Sequence, residues 1–175
     1  MHKENIFNIL FVIISRTPFW VWIFLIFLIK RGISTSQERK VNIPKSFIAP
    51  IIFTAWGLDT MVDKFSYVRL DLVVYILLAI FGIFIGFNLY KKYQGYLLKE
   101  DGIYHAKCYL PLIIIIVNFM LKYILNVAIG ANPHFSLSLG FNMIYSIISG
   151  TSVGLFLGGI LNTFIQIRKI YRMEK

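Results

Sequence analysis

The stretch Asn118-Phe-Met-Leu-Lys122-Tyr123 decides how this chain must fold. It lies inside an apolar run, residues 109–130, that is long enough to cross a bilayer as a helix. A charged side chain near the centre of such a helix costs at least about 2.5–3.5 kcal/mol. The sequence therefore predicts that Lys122 faces the interior of a helix bundle, where other groups can satisfy its ammonium.

The composition of the whole chain is typical of a membrane protein. Of the 175 residues 58% are apolar and 15% are charged, whereas a soluble domain is roughly 45–50% apolar. The net charge of +10 could indicate a nucleic-acid partner, but 13 of the 18 Lys and Arg lie in alternate connecting segments. Membrane topology produces that pattern, so we expect no nucleic-acid partner. The single cysteine excludes an internal disulfide and a multi-cysteine metal site.

The apolar segments predict an all-α membrane protein, with one transmembrane domain of residues 1–175 formed by a bundle of five helices. The predicted spans are residues 6–29, 45–62, 70–90, 109–130 and 137–167. Pro18 predicts a kink in the first span; alternatively, an interfacial helix there precedes a short span. The Asp101-Gly102 pair predicts a β-hairpin at about residues 94–108 with a type I′ turn.

The distribution of basic residues predicts the threading of the chain. The positive-inside rule places the N-terminus outside and the C-terminus and the hairpin in the cytoplasm. We expect the bacterial cytoplasmic (inner) membrane as the location, with the basic side on anionic headgroups. The thirteen residues assigned to this side are Lys30, Arg31, Arg39, Lys40, Lys45, Lys91, Lys92, Lys99, Lys107, Arg168, Lys169, Arg172 and Lys175.

Several features occur in an order that resembles a known family. They are Thr17-Pro18-Phe-Trp20-Val-Trp22, the basic connector with Arg39, Asp101-Gly102, Pro111-Leu112, Phe119 followed by Lys122-Tyr123, and the glycines 150, 154 and 158. The set resembles a family of small bacterial integral-membrane proteins of unknown function. More distantly, it is similar to the uncharacterised membrane proteins grouped with the cytochrome c biogenesis protein CcdC. The resemblance supports the topology and implies no activity.

The candidate site is a buried polar cluster around Lys122. Asp59 lies at a similar predicted depth on the second span, so we predict that it pairs with Lys122. Asn118 and Asn126 flank Lys122 at four-residue spacing, on the same helix face. Arg16, near mid-depth on the first span, is the other candidate for a buried charge. The cluster has two main interpretations. It is either a set of polar contacts that hold helices together, or a charged pocket or permeation path. A third idea, a lysine that forms a Schiff base, has no further support in the sequence.

A second candidate feature is a stripe of small residues on the last span. Gly150, Gly154 and Gly158 repeat every four residues, a spacing that predicts close packing of another helix. The histidines lie outside the spans, and no catalytic set or metal-ligand spacing is present in the helices. We therefore expect no cofactor, no metal and no catalytic residues.

Two functions remain open from the sequence. The first is a ligand-binding or transport-type bundle for a proton, a small anion or a lipid headgroup, which predicts an open cavity reaching Lys122. The second is a non-enzymatic assembly subunit that docks a membrane-protein partner or a second copy, which predicts a sealed core and an exposed glycine stripe. An intramembrane enzyme is disfavoured because the chain lacks a catalytic set.

Overall fold

The computed structural model describes residues 19–173, apart from the side chains of residues 20, 24 and 35. This part of the chain is mostly helical, as predicted, and has one small antiparallel sheet. In chain order the elements are α1 (Phe19–Ser36), β1 (Arg39–Lys40), α2 (Ile43–Ser46), α3 (Ile48–Lys64), α4 (Val68–Tyr93), β2 (Tyr96–Lys99), β3 (Gly102–His105), α5 (Leu110–Ala131), a 3₁₀ turn (Pro133–Leu137) and α6 (Leu139–Met173). The predicted kink at Pro18 lies outside the described residues.

Within residues 19–173, three helices are long and apolar enough to cross a membrane. They are α4, α5 and α6, with 26, 22 and 35 residues. The side chains of Ile76, Ile80 and Phe84 on α4 are all more than half exposed, at 55%, 62% and 67%. Large apolar side chains facing outward along one helix are expected where that helix contacts lipid rather than water. The chain is therefore a membrane protein with at least three helices suited to span the bilayer.

The second predicted span, residues 45–62, is shorter and less regular in the structure. It is divided between α2 and α3, and the side chain of Asn42 caps α2 by accepting the N–H of Lys45 at 3.1 Å. Helix α3 has 17 residues, which is about 26 Å at 1.5 Å per residue. The hydrocarbon core is about 30 Å thick, so α3 alone is short for a span. The first predicted span is described only from Phe19 onward, and the count of five spans stays a prediction.

Helices α4 and α6 pack along each other through glycines on both sides. A Cβ built at Gly150 would collide with the backbone carbonyl of Tyr75, and one at Gly154 would collide with that of Ala79. On α4, a Cβ at Gly82 would lie 3.0 Å from the Cα of Gly154. Small residues allow two backbones to approach this closely. The glycine stripe is therefore used within the chain and is not exposed for a partner.

A three-stranded sheet with the strand order β1-β3-β2 covers one end of the bundle. Strands β2 and β3 form the predicted hairpin, with Lys99 opposite Gly102. The central residues of its turn are Glu100 and Asp101, and no described residue other than glycine has a positive φ. The prediction of a type I′ turn is therefore wrong, because that turn requires positive φ at both central residues. Gly102 has the positive φ instead, 133°, at the first position of β3.

Strand β1 was not predicted. It has two residues, and Arg39 lies opposite His105 in an antiparallel register. The N–H of Val41 extends the pairing by donating to the carbonyl of Ile103 at 2.9 Å. The hydroxyl of Tyr96 lies 2.9 Å from that of Thr163 and accepts from Asn162 at 3.3 Å, which attaches the sheet to α6. A hairpin that would be marginal alone is thus held by a third strand and a helix.

Candidate functional site

Lys122 lies in the interior of the bundle with no exposed surface. The other buried residues of α5 include Ile115, Asn118 and Phe119, at spacings of seven, four and three, so Lys122 is on the buried face of the helix. Its ammonium donates a hydrogen bond of 2.7 Å to the backbone carbonyl of Phe53 on α3. In a helix this carbonyl also accepts the N–H four residues later, and its second lone pair is available to the lysine.

Two aromatic rings and a glycine complete the surroundings of the ammonium. The Lys122 Nζ lies 5.9 Å from the ring centroid of Phe53 and 6.0 Å from that of Tyr145 on α6, within the range of cation–π attraction. A Cβ at Gly57 would lie 2.8 Å from the Nζ and 3.6 Å from the Ser149 hydroxyl oxygen. The absence of a side chain at position 57 therefore provides the space that the ammonium occupies between α3, α5 and α6.

Asp59 does not pair with Lys122. Its side chain is exposed, and the ion pairs found among residues 19–173 are Lys40–Asp101 and Lys99–Glu38. The physical reason is rotation about the helix axis. Asp59 follows Gly57 by two positions, which is about 200° around an α-helix, so it points away from the ammonium. Equal depth in the membrane was not sufficient to predict contact.

The two asparagines on either side of Lys122 have different environments. Asn126 is half-buried. Its Nδ2 donates to the backbone carbonyl of Lys122 at 2.9 Å, and its Oδ1 accepts from the hydroxyl of Thr60 at 3.4 Å. Asn118 is buried, and both polar atoms of its amide lack a hydrogen-bond partner among the described residues. The structure brings Lys122 and Asn126 together and leaves Asn118 facing α6. Arg16 lies outside the described residues.

The fully buried acid of the described chain is Asp71, which was not among the residues predicted for the site. It is in the first turn of α4 and has no exposed surface. Neither carboxylate oxygen has a hydrogen-bond partner within residues 19–173, although Ser146 on α6 lies beside it. A signal for this burial exists in the sequence. Asp71 is eleven residues before Gly82, about three helical turns, and so lies on the glycine face that packs against α6.

Several further polar groups of α6 are buried in the same half of the bundle. The hydroxyls of Ser146 and Ser149 and the amide oxygen of Asn142 are buried without a hydrogen-bond partner in the described part of the chain. An unsatisfied buried polar group costs about 1–3 kcal/mol. The interior around Lys122 is therefore polar and incompletely hydrogen-bonded, which is uncommon in native proteins.

An apolar groove between α5 and α6 has Asn118 in its wall. Its volume is about 360 Å³, and the lining residues are Ile113, Ile114, Val117, Asn118, Leu121, Ile147, Ile148, Thr151, Ser152 and Leu155. Lys122 is not among them. The groove therefore does not reach the ammonium.

A second cavity, the sheet cleft, lies between the sheet and the adjoining ends of the helices. It has a volume of about 60 Å³. Its polar lining consists of Arg31, Arg39, Ser46, Tyr90, Gln94, His105 and Thr163, and its other lining residues are Ala49, Pro111, Ile115, Phe156, Gly159 and Ile160. No acid is among the described residues that line it, so two guanidinium groups share the cleft without a carboxylate.

Two side chains of the sheet cleft, those of Arg39 and His105, have buried polar atoms without a hydrogen-bond partner in the described structure. The Nε of Arg39 and the Nδ1 of His105 are buried without a hydrogen-bond partner in the described structure. Burial, and then the charge of Arg39, lowers the pKa of His105 to about 4, so the imidazole is neutral near pH 7. Burial and the charge of Arg31 lower the pKa of Arg39, although a guanidinium stays protonated. The cleft therefore carries positive charge from its arginines that no acid among its described lining residues balances.

A pair of stacked rings lies between the sheet cleft and the lysine site. Phe156 lines the cleft, and its ring stacks on Phe53 with centroids 5.6 Å apart and planes 8° apart. Phe53 also supplies the carbonyl that holds Lys122. The two sites are therefore adjacent along the bundle but separated by this aromatic stack.

Within residues 19–173, no group of three or more His, Cys, Asp or Glu side chains is arranged to hold a metal ion. No curated protein and no solved structure matches the chain, and the more distant similarity to CcdC-like proteins stays a prediction. The expectation of a family of unknown function is confirmed by a family model that covers nearly the whole sequence. The chain belongs to the family of unknown function DUF6622, whose model matches residues 4–168.

Proposed function

We propose that this chain is a multi-pass, non-enzymatic protein of the bacterial inner membrane that binds a small anion at Lys122. One observation carries the proposal. The ammonium of Lys122 is fully buried and donates a hydrogen bond to the neutral carbonyl of Phe53, and no carboxylate of the described residues lies within 4.0 Å of it. An unmatched buried charge is costly, so its retention favours a ligand that neutralises it.

The neighbouring polar groups support an anion rather than a cation at this position. The hydroxyl oxygen of Ser149 lies 3.6 Å from the Cβ position of Gly57 that the ammonium also approaches, and it has no hydrogen-bond partner within the described structure. Hydroxyl donors and an ammonium together suit a small anion. Lys122 lines neither of the two cavities, so the open cavity expected of a ligand-binding bundle does not reach the ammonium in either of them. Entry of an anion from the sheet cleft would therefore require the stacked rings of Phe53 and Phe156 to separate.

The test compares the full-length protein with Lys122→Met in detergent, measuring thermal unfolding in sodium chloride, sodium nitrate and sodium gluconate at equal ionic strength. We expect chloride or nitrate to stabilise the wild type, by about 2.7 kcal/mol at a hundredfold excess over Kd. Gluconate, which is too large for the site, should give no such gain. Lys122→Met should show no response, and Asp59→Asn, which changes an exposed charge, should respond like the wild type. An equal response of Lys122→Met and wild type would overturn the proposal.

A second candidate function is an assembly subunit, and the groove between α5 and α6 favours it. The groove is apolar, and Asn118 presents an unpartnered amide in its wall. A second copy of the chain could seat a helix there, since amide side chains hydrogen-bond across helices in membranes. The glycine stripe does not contribute, because α4 already covers it.

Disulfide cross-linking distinguishes this second candidate. Val117 is exposed and lines the groove. In a Cys108→Ser background, Val117→Cys should give a cross-linked dimer in membranes if two copies meet at the groove. Ile76→Cys, exposed on α4 away from the groove, is the matched control and should stay monomeric. Equal cross-linking at both positions would indicate random collision.

A further inference from the structure

We propose that the sheet cleft binds a phosphate-type oxyanion, from a lipid headgroup or a soluble phosphate compound, through Arg31, Arg39 and His105. This inference is independent of the proposed anion site at Lys122, because it concerns different residues at the other side of the Phe53–Phe156 stack.

Among residues 19–173, no acid lines the sheet cleft to balance its charge. At the exposed edge of the sheet, Glu38 pairs with Lys99. Asp101 accepts from the Tyr104 hydroxyl at 2.8 Å and lies 3.6 Å from the Lys40 ammonium. Successive residues of a strand point to opposite faces, so Arg39 points to the cleft while its neighbours Glu38 and Lys40 are exposed.

The unpartnered atoms in the cleft belong to side chains that the fold holds in place. His105 is only 6% exposed, and its Nδ1 has no partner among the described residues. Arg39 lies opposite it in the strand register, with the buried Nε also unpartnered. A guanidinium presents its donors in a planar fork that matches the oxygens of a phosphate. An imidazole N–H can add one further donor.

The size and the position of the cleft fit a phosphoryl group. A volume of about 60 Å³ corresponds to about four to six water molecules at 10–15 Å³ each, comparable to the five heavy atoms of one phosphate. The cleft lies where α4 ends and α5 begins, between Tyr93 and Leu110. The ends of spanning helices lie at the level of the headgroups. The apolar lining by Ile115, Phe156 and Ile160 continues from the cleft toward the bundle.

The test uses the full-length protein in a neutral maltoside detergent and measures the thermal unfolding midpoint against ligand concentration. The probes are inorganic phosphate, with gluconate at equal ionic strength as its control, and phosphatidylglycerol, with diacylglycerol as the phosphate-free control. Arg39→Gln should require at least about tenfold more ligand for half of the shift, because it removes a charge-assisted hydrogen bond. Lys40→Gln removes the same charge from the exposed neighbour and should stay within about twofold of the wild type.

The outcomes distinguish a lipid headgroup from a soluble phosphate compound as the source of the bound phosphate group. Stabilisation by phosphatidylglycerol alone identifies a lipid headgroup, and stabilisation by both probes identifies the phosphate group itself. His105→Leu serves as a second variant if Arg39→Gln does not fold, and it should weaken the response in the same direction. The proposal fails if neither probe stabilises the wild type beyond its control. It also fails if Lys40→Gln weakens the response as much as Arg39→Gln, because the effect is then one of diffuse surface charge.

Discussion

Gly57 and Lys122 occupy one space: a Cβ on Gly57 would lie 2.8 Å from the ammonium nitrogen that donates to the Phe53 carbonyl. Glycine normally weakens a helix by about 0.5–1 kcal/mol relative to alanine. Its presence in the middle of α3 is explained by the lysine that crosses from α5. The pair links a residue choice on one helix to a buried charge on another.

Gly57→Ala is expected to lower the free energy of unfolding by about 1–3 kcal/mol, because the new methyl group displaces the ammonium from its acceptor. The measurement is thermal or denaturant unfolding in detergent. In a Lys122→Met background most of this loss should disappear, because the two positions are in contact. Gly130→Ala is the matched control, since a Cβ there meets nothing within 4 Å, and it should be neutral or slightly stabilising. Strictly additive losses would show that the two residues do not interact.

Lys122→Met alone is expected to raise the free energy of unfolding by about 2 kcal/mol. The substitution removes an unmatched buried charge and keeps a side chain of similar length, and such replacements are often stabilising. The same variant should lose the response to small anions. If Lys122→Met is instead destabilised by more than about 1 kcal/mol, the lysine holds the helices together and the interpretation as polar contacts between helices is correct.

Gly154→Ala is expected to destabilise the bundle strongly, by about 3 kcal/mol or more, because its Cβ would collide with the backbone of α4 rather than with a flexible side chain. Gly140→Ala, near the start of α6, is the control, since its Cβ would meet only the Ser138 hydroxyl at 4.0 Å. Unfolding in detergent and the yield of monodisperse protein both report the effect. Equal stability of the two variants would contradict the close approach of α4 and α6.

The stability of the protein is expected to fall between about pH 6.5 and pH 4 because of His105. Its folded pKa is lowered to about 4 from 6.5, so the unfolded chain binds more protons in this range. The free energy of unfolding therefore rises with pH across this range. The contribution of His105 is up to about 3 kcal/mol and is fully present above pH 6.5. Unfolding free energies measured across this range give the slope.

His105→Gln provides the comparison for the acid dependence. It removes the titrating group, so its stability should change less than that of the wild type between pH 6.5 and pH 4. An identical slope in both proteins would assign the acid sensitivity to other groups.

The threading of the chain predicts opposite results for two reporter fusions. A reporter that is active only outside the cytoplasm should be inactive after residue 173, because the basic residues of that end favour the cytoplasm. The same reporter inserted after Pro133, in the turn between α5 and α6, should be active. Activity in the reverse pattern would invert the assigned orientation while leaving the fold unchanged.

Much of the fold is predictable from local sequence. The predicted spans 70–90, 109–130 and 137–167 correspond to α4, α5 and α6, whose ends lie within about six residues of the predicted ones. The two strands of the hairpin were also predicted, although not the conformation of its turn. These elements are decided by hydropathy and turn residues because a helix in lipid satisfies its own backbone hydrogen bonds.

Contacts between elements were decided by the tertiary structure. Residue depth suggested Asp59 as the partner of Lys122, but the rotation of α3 turns Asp59 outward and presents Gly57 and the Phe53 carbonyl instead. Rotation of each helix about its axis depends on how all its neighbours pack. Burial of Asp71 follows in the same way from the close packing of α4 on α6.

The sequence by itself determined that Lys122 would be buried, because an apolar helix offers an isolated ammonium no favourable place on its lipid-facing side. Only the tertiary structure decided what the lysine contacts, and only it brought Arg39 opposite His105 in the sheet cleft, 66 residues apart along the chain. The physical reason is that hydropathy and backbone hydrogen bonding act locally, whereas the match of one side chain to another requires the final positions of both backbones.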